Sequence, residues 1–95
     1  MKFVALWSLK EYLDQEDLAE VMGRRAEHEF PKGMKVIAEY WTPLRWPAVI
    51  NILEADDVSA LMVNTVAWMD VLDVEIFPVV EWEEGLKKLS EHFAG

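Results

Sequence analysis

Four short apolar runs, separated by two stretches with helical spacing, set the tightest limit on how this chain can fold. KFVALWS from Lys2 to Ser8, MKVIAEYWT from Met34 to Thr42, AVINILEA from Ala48 to Ala55 and LDVEIFPVV from Leu72 to Val80 are rich in β-branched and aromatic residues. That is the composition of strands. After the first run, Asp14 is placed to cap a helix whose first turn is acidic, and Leu18, Val21, Met22 and Arg25 fall on one stripe with Ala26 beside it. FPKG, Phe30 to Gly33, ends that helix. After the third run, Asp56 and Asp57 offer the next cap, and Val58, Leu61, Met62, Thr65, Val66 and Met69 recur at helical spacing as far as Asp70. Only the five-residue turn PLRWP, Pro43 to Pro47, joins the second and third runs, so these two form a hairpin. Pro78 lacks an N–H to donate, which places the fourth strand at a sheet edge. A last helix, Glu83 to Phe93, carries Leu86, Leu89 and Phe93 on one side, with Trp82 just before it.

The resulting order, β-α-β-β-α-β plus a C-terminal helix, is the split βαβ arrangement: an α+β, ferredoxin-like fold with a four-stranded antiparallel sheet. At 95 residues it makes a single domain, residues 1–95. Right-handed crossovers put both main helices on one face of the sheet and leave the other bare.

Alternation divides each strand into two sets of side chains. With the more uniformly apolar set assigned to the helices, the core is Val4, Leu6, Val36, Ala38, Tyr40, Ile50, Ile52, Leu72, Val74 and Ile76. The bare face is then Phe3, Ala5, Trp7, Ile37, Glu39, Trp41, Val49, Asn51, Leu53, Asp73, Glu75, Phe77 and Val79. The chain is 53% hydrophobic with five Trp and five Met, more apolar surface than a monomer this small can hide. A homodimer through the open sheet face, closing two sheets into a barrel, is the expected remedy.

The segments GMKVIAEYW, NILEADDVSALM and WMDVLDVEIFPVVE, and within them EADD followed by W-x-D-x-x-D-x-E-x-x-P, resemble a family of short prokaryotic proteins of unknown function. That family is similar to the dimeric α+β barrel superfamily, and the resemblance runs from the first strand to about Glu84. It implies a barrel dimer and no particular activity. The superfamily includes cofactor-free oxygenases, haem-handling enzymes, muconolactone-type isomerases and regulatory ligand-binding domains, so the fold alone selects none of them.

A formal charge of −9 repels phosphate backbones, which argues against nucleic acid as a partner. Cysteine is absent, so there is no disulfide framework or thiolate nucleophile. The N-terminal apolar run is interrupted by Lys10 and Glu11, too soon for a signal peptide, and nothing approaches the roughly 18 apolar residues of a membrane span. These features set the expectation of a cytoplasmic protein without a membrane partner.

Two readings of the bare face remain open. Glu39 and Glu75 are candidates for a general acid/base pair, with Asn51 as a polar anchor, in a cofactor-independent oxygenase- or isomerase-like enzyme; otherwise both lie solvated at the rim or paired with Lys35 or Arg45. Trp7, Trp41, Phe77 and Asn51 are candidates for the wall of a small apolar ligand site, or they simply pack as interface aromatics in a structural or regulatory module. The only histidines, His28 and His92, fall at helix ends, so no haem or metal site and no other cofactor is expected. Arg24 and Arg25 are either a clamp for an acidic partner or cover for apolar surface.

Overall fold

The computed structural model covers residues 1–95. Strand β1 (Lys2–Leu9) leads into helix α1 (Gln15–Glu27). The hairpin β2 (Met34–Trp41) and β3 (Val49–Ala55) follows, then helix α2 (Val58–Val66), strand β4 (Leu72–Val79) and helix α3 (Trp82–Ala94). The strands form one antiparallel sheet in the order β2-β3-β1-β4. This is the expected ferredoxin-like fold, with Pro78 on an edge strand. Asp14 closes a capping box at the start of α1, accepting from the Glu16 and Asp17 amides, while Asp17 accepts from the Asp14 amide. Asp57 caps α2 through the Ser59 amide. In the hairpin turn, Thr42 Oγ1 donates to the Pro47 carbonyl at 2.6 Å and accepts from the Leu44 amide, and the Trp46–Pro47 bond is cis. Arg45 ties the turn to the end of β1 by donating to the Lys10 and Glu11 carbonyls.

The two faces of the sheet are not divided as the apolar alternation suggests. Phe3, Ala5, Trp7 and Leu9 of β1 and Val49, Asn51, Leu53 and Ala55 of β3 are buried, alternating with the half-buried Val4, Leu6, Ile50 and Ile52. The helices therefore cover the set assigned above to the bare face in both central strands, and Val4, Leu6, Ile50 and Ile52 lie on the open side. In β4 the expected division holds, with Leu72, Val74 and Ile76 toward the helices and Asp73, Glu75 and Phe77 away. In β2 the division changes partway along. Val36 lies opposite Leu53, but Ala38 lies opposite Ile52 and Glu39 opposite Asn51, so Ile37 is the extra residue of a β-bulge. Beyond it Glu39 and Trp41 join the helix side, and Ala38 and Tyr40 the open side. Uniform apolarity misassigned the central strands because the open face is apolar as well, and the bulge shifted the alternation in β2 by one residue.

The core joins the helix-facing residues of β1 and β3 to Val21 of α1, Leu61 of α2 and Trp68. In α2 the buried residues are Ala60, Leu61 and Asn64; Val58, Met62, Val66 and Met69, expected to pack, are exposed. The helix is apolar around most of its circumference, so spacing alone does not select its inner side. The corner after it is held by Arg24, which reaches Asp70 through two hydrogen bonds of 2.8 and 2.9 Å, donates to the Ala67 carbonyl and lies over the Trp68 ring. Trp68, buried in the core, thus closes the corner between α2 and β4. Helix α3 buries none of its residues.

Leu53, 1% exposed, tests the face assignment. Leu53→Ala should destabilise the fold by about 3 kcal/mol with an unchanged urea m-value, whereas Tyr40→Ala on the open side, compared at dilutions where the chain is monomeric, should cost less than about 1 kcal/mol. Equal costs measured in urea would contradict the register.

Candidate functional site

Turned inward by the bulge, the Glu39 carboxylate lies between the sheet and α1 and needs partners, because an ionised group there has lost much of its water. Three donors supply them. Arg25 Nε is shared between both carboxylate oxygens at 3.1 Å, Asn51 Nδ2 donates to Oε1 at 2.9 Å, and Trp41 Nε1 donates to Oε2 at 2.9 Å. Asn51 in turn accepts from Trp7 Nε1 at 2.6 Å. Each donor follows from local structure. Asn51 is directly opposite Glu39 across the β2–β3 ladder, Trp41 is two residues along the same side of β2, and Arg25 extends from the inner stripe of α1.

Burial works against the charge on Glu39, but the hydrogen bonds from Trp41, Arg25 and Asn51 and the positive charge of Arg25 outweigh it. The carboxyl is held below the ordinary range for glutamate. The Glu39 side chain is only 17% exposed and that of Arg25 32%, so the pair is partly shielded from solvent.

Above this network is a cleft, partly open to solvent, between the sheet and the two helices. Trp7, Trp41, Phe30 and Trp68 provide its aromatic surface, and Arg25, Glu39, Asn51 and Asn64 its polar groups. Its inner volume of about 30 Å³ holds about one water molecule. The Arg25 guanidinium lies 4.7 Å from the centre of the Phe30 ring. His28, the C-cap of α1, packs edge-on to Phe30 and Trp68, and its Nε2 is 2.8 Å from Asn64 Oδ1.

Of the residues singled out from sequence, Trp7, Trp41, Asn51 and Glu39 come together here, on the helix side of the sheet. Glu75 and Phe77 do not: both point to the opposite face, Glu75 exposed and without an ion pair, Phe77 41% exposed. Glu39 and Glu75 therefore cannot act as a pair on one substrate. Glu39 is paired with neither Lys35 nor Arg45 but with Arg25, while Arg24 pairs with the exposed Asp70, so each arginine holds a carboxylate of its own chain. Sequence reasoning missed Asn64, Phe30, His28 and Trp68 as parts of the site. A usable signal for Asn64 was its place between Leu61 and Trp68 at i+3 and i+7, a polar residue on the buried side of a helix. His28 and Phe30 lie in the chain leaving α1, where no periodicity places them.

A ferredoxin-like α+β domain with an aromatic cleft between its sheet and helices is thus the class of protein these residues build. The chain belongs to the DUF3303 family, described as a domain of unknown function, whose model matches residues 1–93. No curated protein and no solved structure matches it.

Because the folded Glu39 carboxyl titrates below its unfolded value of about 4.5, the unfolded chain takes up the proton first on acidification. The stability from this group is complete above that value and is lost as pH falls through the lower, folded one. Glu39→Gln should cost about 3 kcal/mol at pH 7, since it removes the charge facing Arg25 and leaves buried donors short of acceptors. The gap between wild type and variant in urea titrations should narrow below about pH 4.5. A gap that is constant from pH 7 to pH 3 would show that the carboxylate is not held in its ionised form.

Proposed function

We propose that this protein is a homodimeric binding module that holds a small, flat, largely apolar molecule in the cleft between its helices and its sheet, and pairs with a second copy through the open sheet face in the manner of a dimeric α+β barrel. The observation that carries the ligand reading is the convergence of Trp7, Trp41, Trp68 and Phe30 on one partly open cleft with few polar groups. Concave aromatic surfaces with a small number of polar anchors are the usual form of small-molecule sites. Glu39 serves as an ionised structural anchor whose two oxygens are already engaged, which favours binding over proton transfer as its role.

Support for the dimer comes from the open face. Val4, Leu6, Ile50 and Ile52 line its centre, flanked by Tyr40 and Phe77, which are 62% and 41% exposed. No helix of the same chain covers them, and an apolar face of this extent marks an interaction surface. A copy related by two-fold symmetry would bury the same residues from both sides.

Native mass spectrometry and light scattering at micromolar concentration should give twice the chain mass of 11.0 kDa. Ile52→Lys, which brings two like charges together at the centre of the face, should weaken association by at least about tenfold. A wild-type monomer would remove the assembly half of the proposal. Extra mass retained on the wild-type dimer and lost in Trp41→Ala would support the ligand half.

A further inference from the structure

Hydrogen-bond capacity within the cleft is spent unevenly. Glu39 and Asn51 have their polar atoms engaged with one another, Trp7, Trp41 and Arg25. Two donors remain. Asn64 is only 4% exposed and lines the cleft, yet only its Oδ1 has a partner, His28; its Nδ2 group has none in the protein. Arg25 uses Nε on Glu39, while its terminal nitrogens make no hydrogen bond to the protein. Because no side-chain polar atom shut off from solvent lacks a partner, Asn64 Nδ2 faces the solvent of the cleft, and both donors are free there to meet an acceptor atom. The positive charge of Arg25 is already balanced by Glu39 at 3.1 Å, and the chain carries a formal −9. Neither the local nor the overall charge favours an anion.

From these observations, and resting on the binding reading above, we infer that the cleft selects neutral molecules in which a flat apolar body carries a carbonyl-type oxygen. That oxygen accepts from Asn64 Nδ2 and an Arg25 terminal nitrogen, and the body lies against the aromatic wall. The inner volume of about 30 Å³ seats one oxygen-sized group, and the rest of the molecule occupies the open mouth. Glu39 and Asn51 also line the cleft, but their polar atoms are already engaged, so an analogue without an acceptor forgoes the two free donors and displaces their water without replacing its hydrogen bonds.

Three probes of similar body separate the possibilities: acetophenone, which is neutral with an acceptor; ethylbenzene, which has none; and benzoate, which is anionic. Each is titrated into the 95-residue chain, with the Asn64 side-chain amide and the Trp7 and Trp41 indole N–H signals followed by NMR. Acetophenone should bind about fivefold or more tighter than ethylbenzene, as expected for about one hydrogen bond, and at least as tightly as benzoate. It should shift the Asn64 Nδ2 resonances, which ethylbenzene leaves nearly unmoved. Asn64→Leu should abolish the difference between acetophenone and ethylbenzene, and the wild-type comparison decides the matter if that variant does not fold. Equal binding of acetophenone and ethylbenzene, or tightest binding by benzoate, would overturn the inference while leaving the cleft a binding site. Absence of binding by all three up to their solubility would overturn the binding reading itself.

Discussion

The inner half of this structure depends on keeping one carboxylate charged beneath a helix. Glu39 is satisfied only because the bulge at Ile37 turns it inward, Asn51 lies opposite it across the ladder, Trp41 follows it on the same strand and α1 delivers Arg25 from above. Removing any one contributor leaves polar groups of the others unpaired in a partly dry setting, where the cost is greatest. The network therefore fixes the position of α1 relative to the β2–β3 hairpin more specifically than apolar packing would. The chain of bonds continues through Asn51 to Trp7, so both central strands are included.

This arrangement also explains why aromatics line the cleft. Trp7 and Trp41 present indole N–H groups to the network and their ring surfaces to the space beside it, and Trp68 is pinned under the Arg24–Asp70 pair. Rigid rings held by hydrogen bonds at one edge cannot collapse fully onto one another, and a small space remains. Asn64 faces that space from α2 with donor capacity unspent.

The open side of the sheet follows different physics. No polar network lies at its centre, and Val4, Leu6, Ile50 and Ile52 are shielded only by their neighbours. The open face is apolar at its centre and carries Lys2, Ser8, Glu54, Asp73 and Glu75 around it, while the covered face is apolar except for Glu39 and Asn51; with both centres apolar, apolarity alone does not tell which face is covered. The polar residues tolerate burial because each finds a partner, and no buried side-chain polar atom fully shut off from solvent lacks one.

Element order, the hairpin, the edge position of β4, the caps at Asp14 and Asp57 and the ferredoxin-like class were all legible in the sequence, because they rest on local chemistry: alternation, cap residues and proline geometry. That Glu39 and Trp41 share one side of β2 was also legible, from alternation within the strand, whereas their joining Trp7 and Asn51 depends on the bulge at Ile37. Which side that is was decided by the tertiary structure. Alternation is symmetric between the two faces, and only the arrival of Arg25 from α1 makes burial of Glu39 and Asn51 favourable. Glu75 and Phe77 are separated from the site by pairing register, lying opposite Leu6 and Val4 of β1 on the open side, while a single bulged residue in β2, invisible to any two-residue period, turns Glu39 the other way.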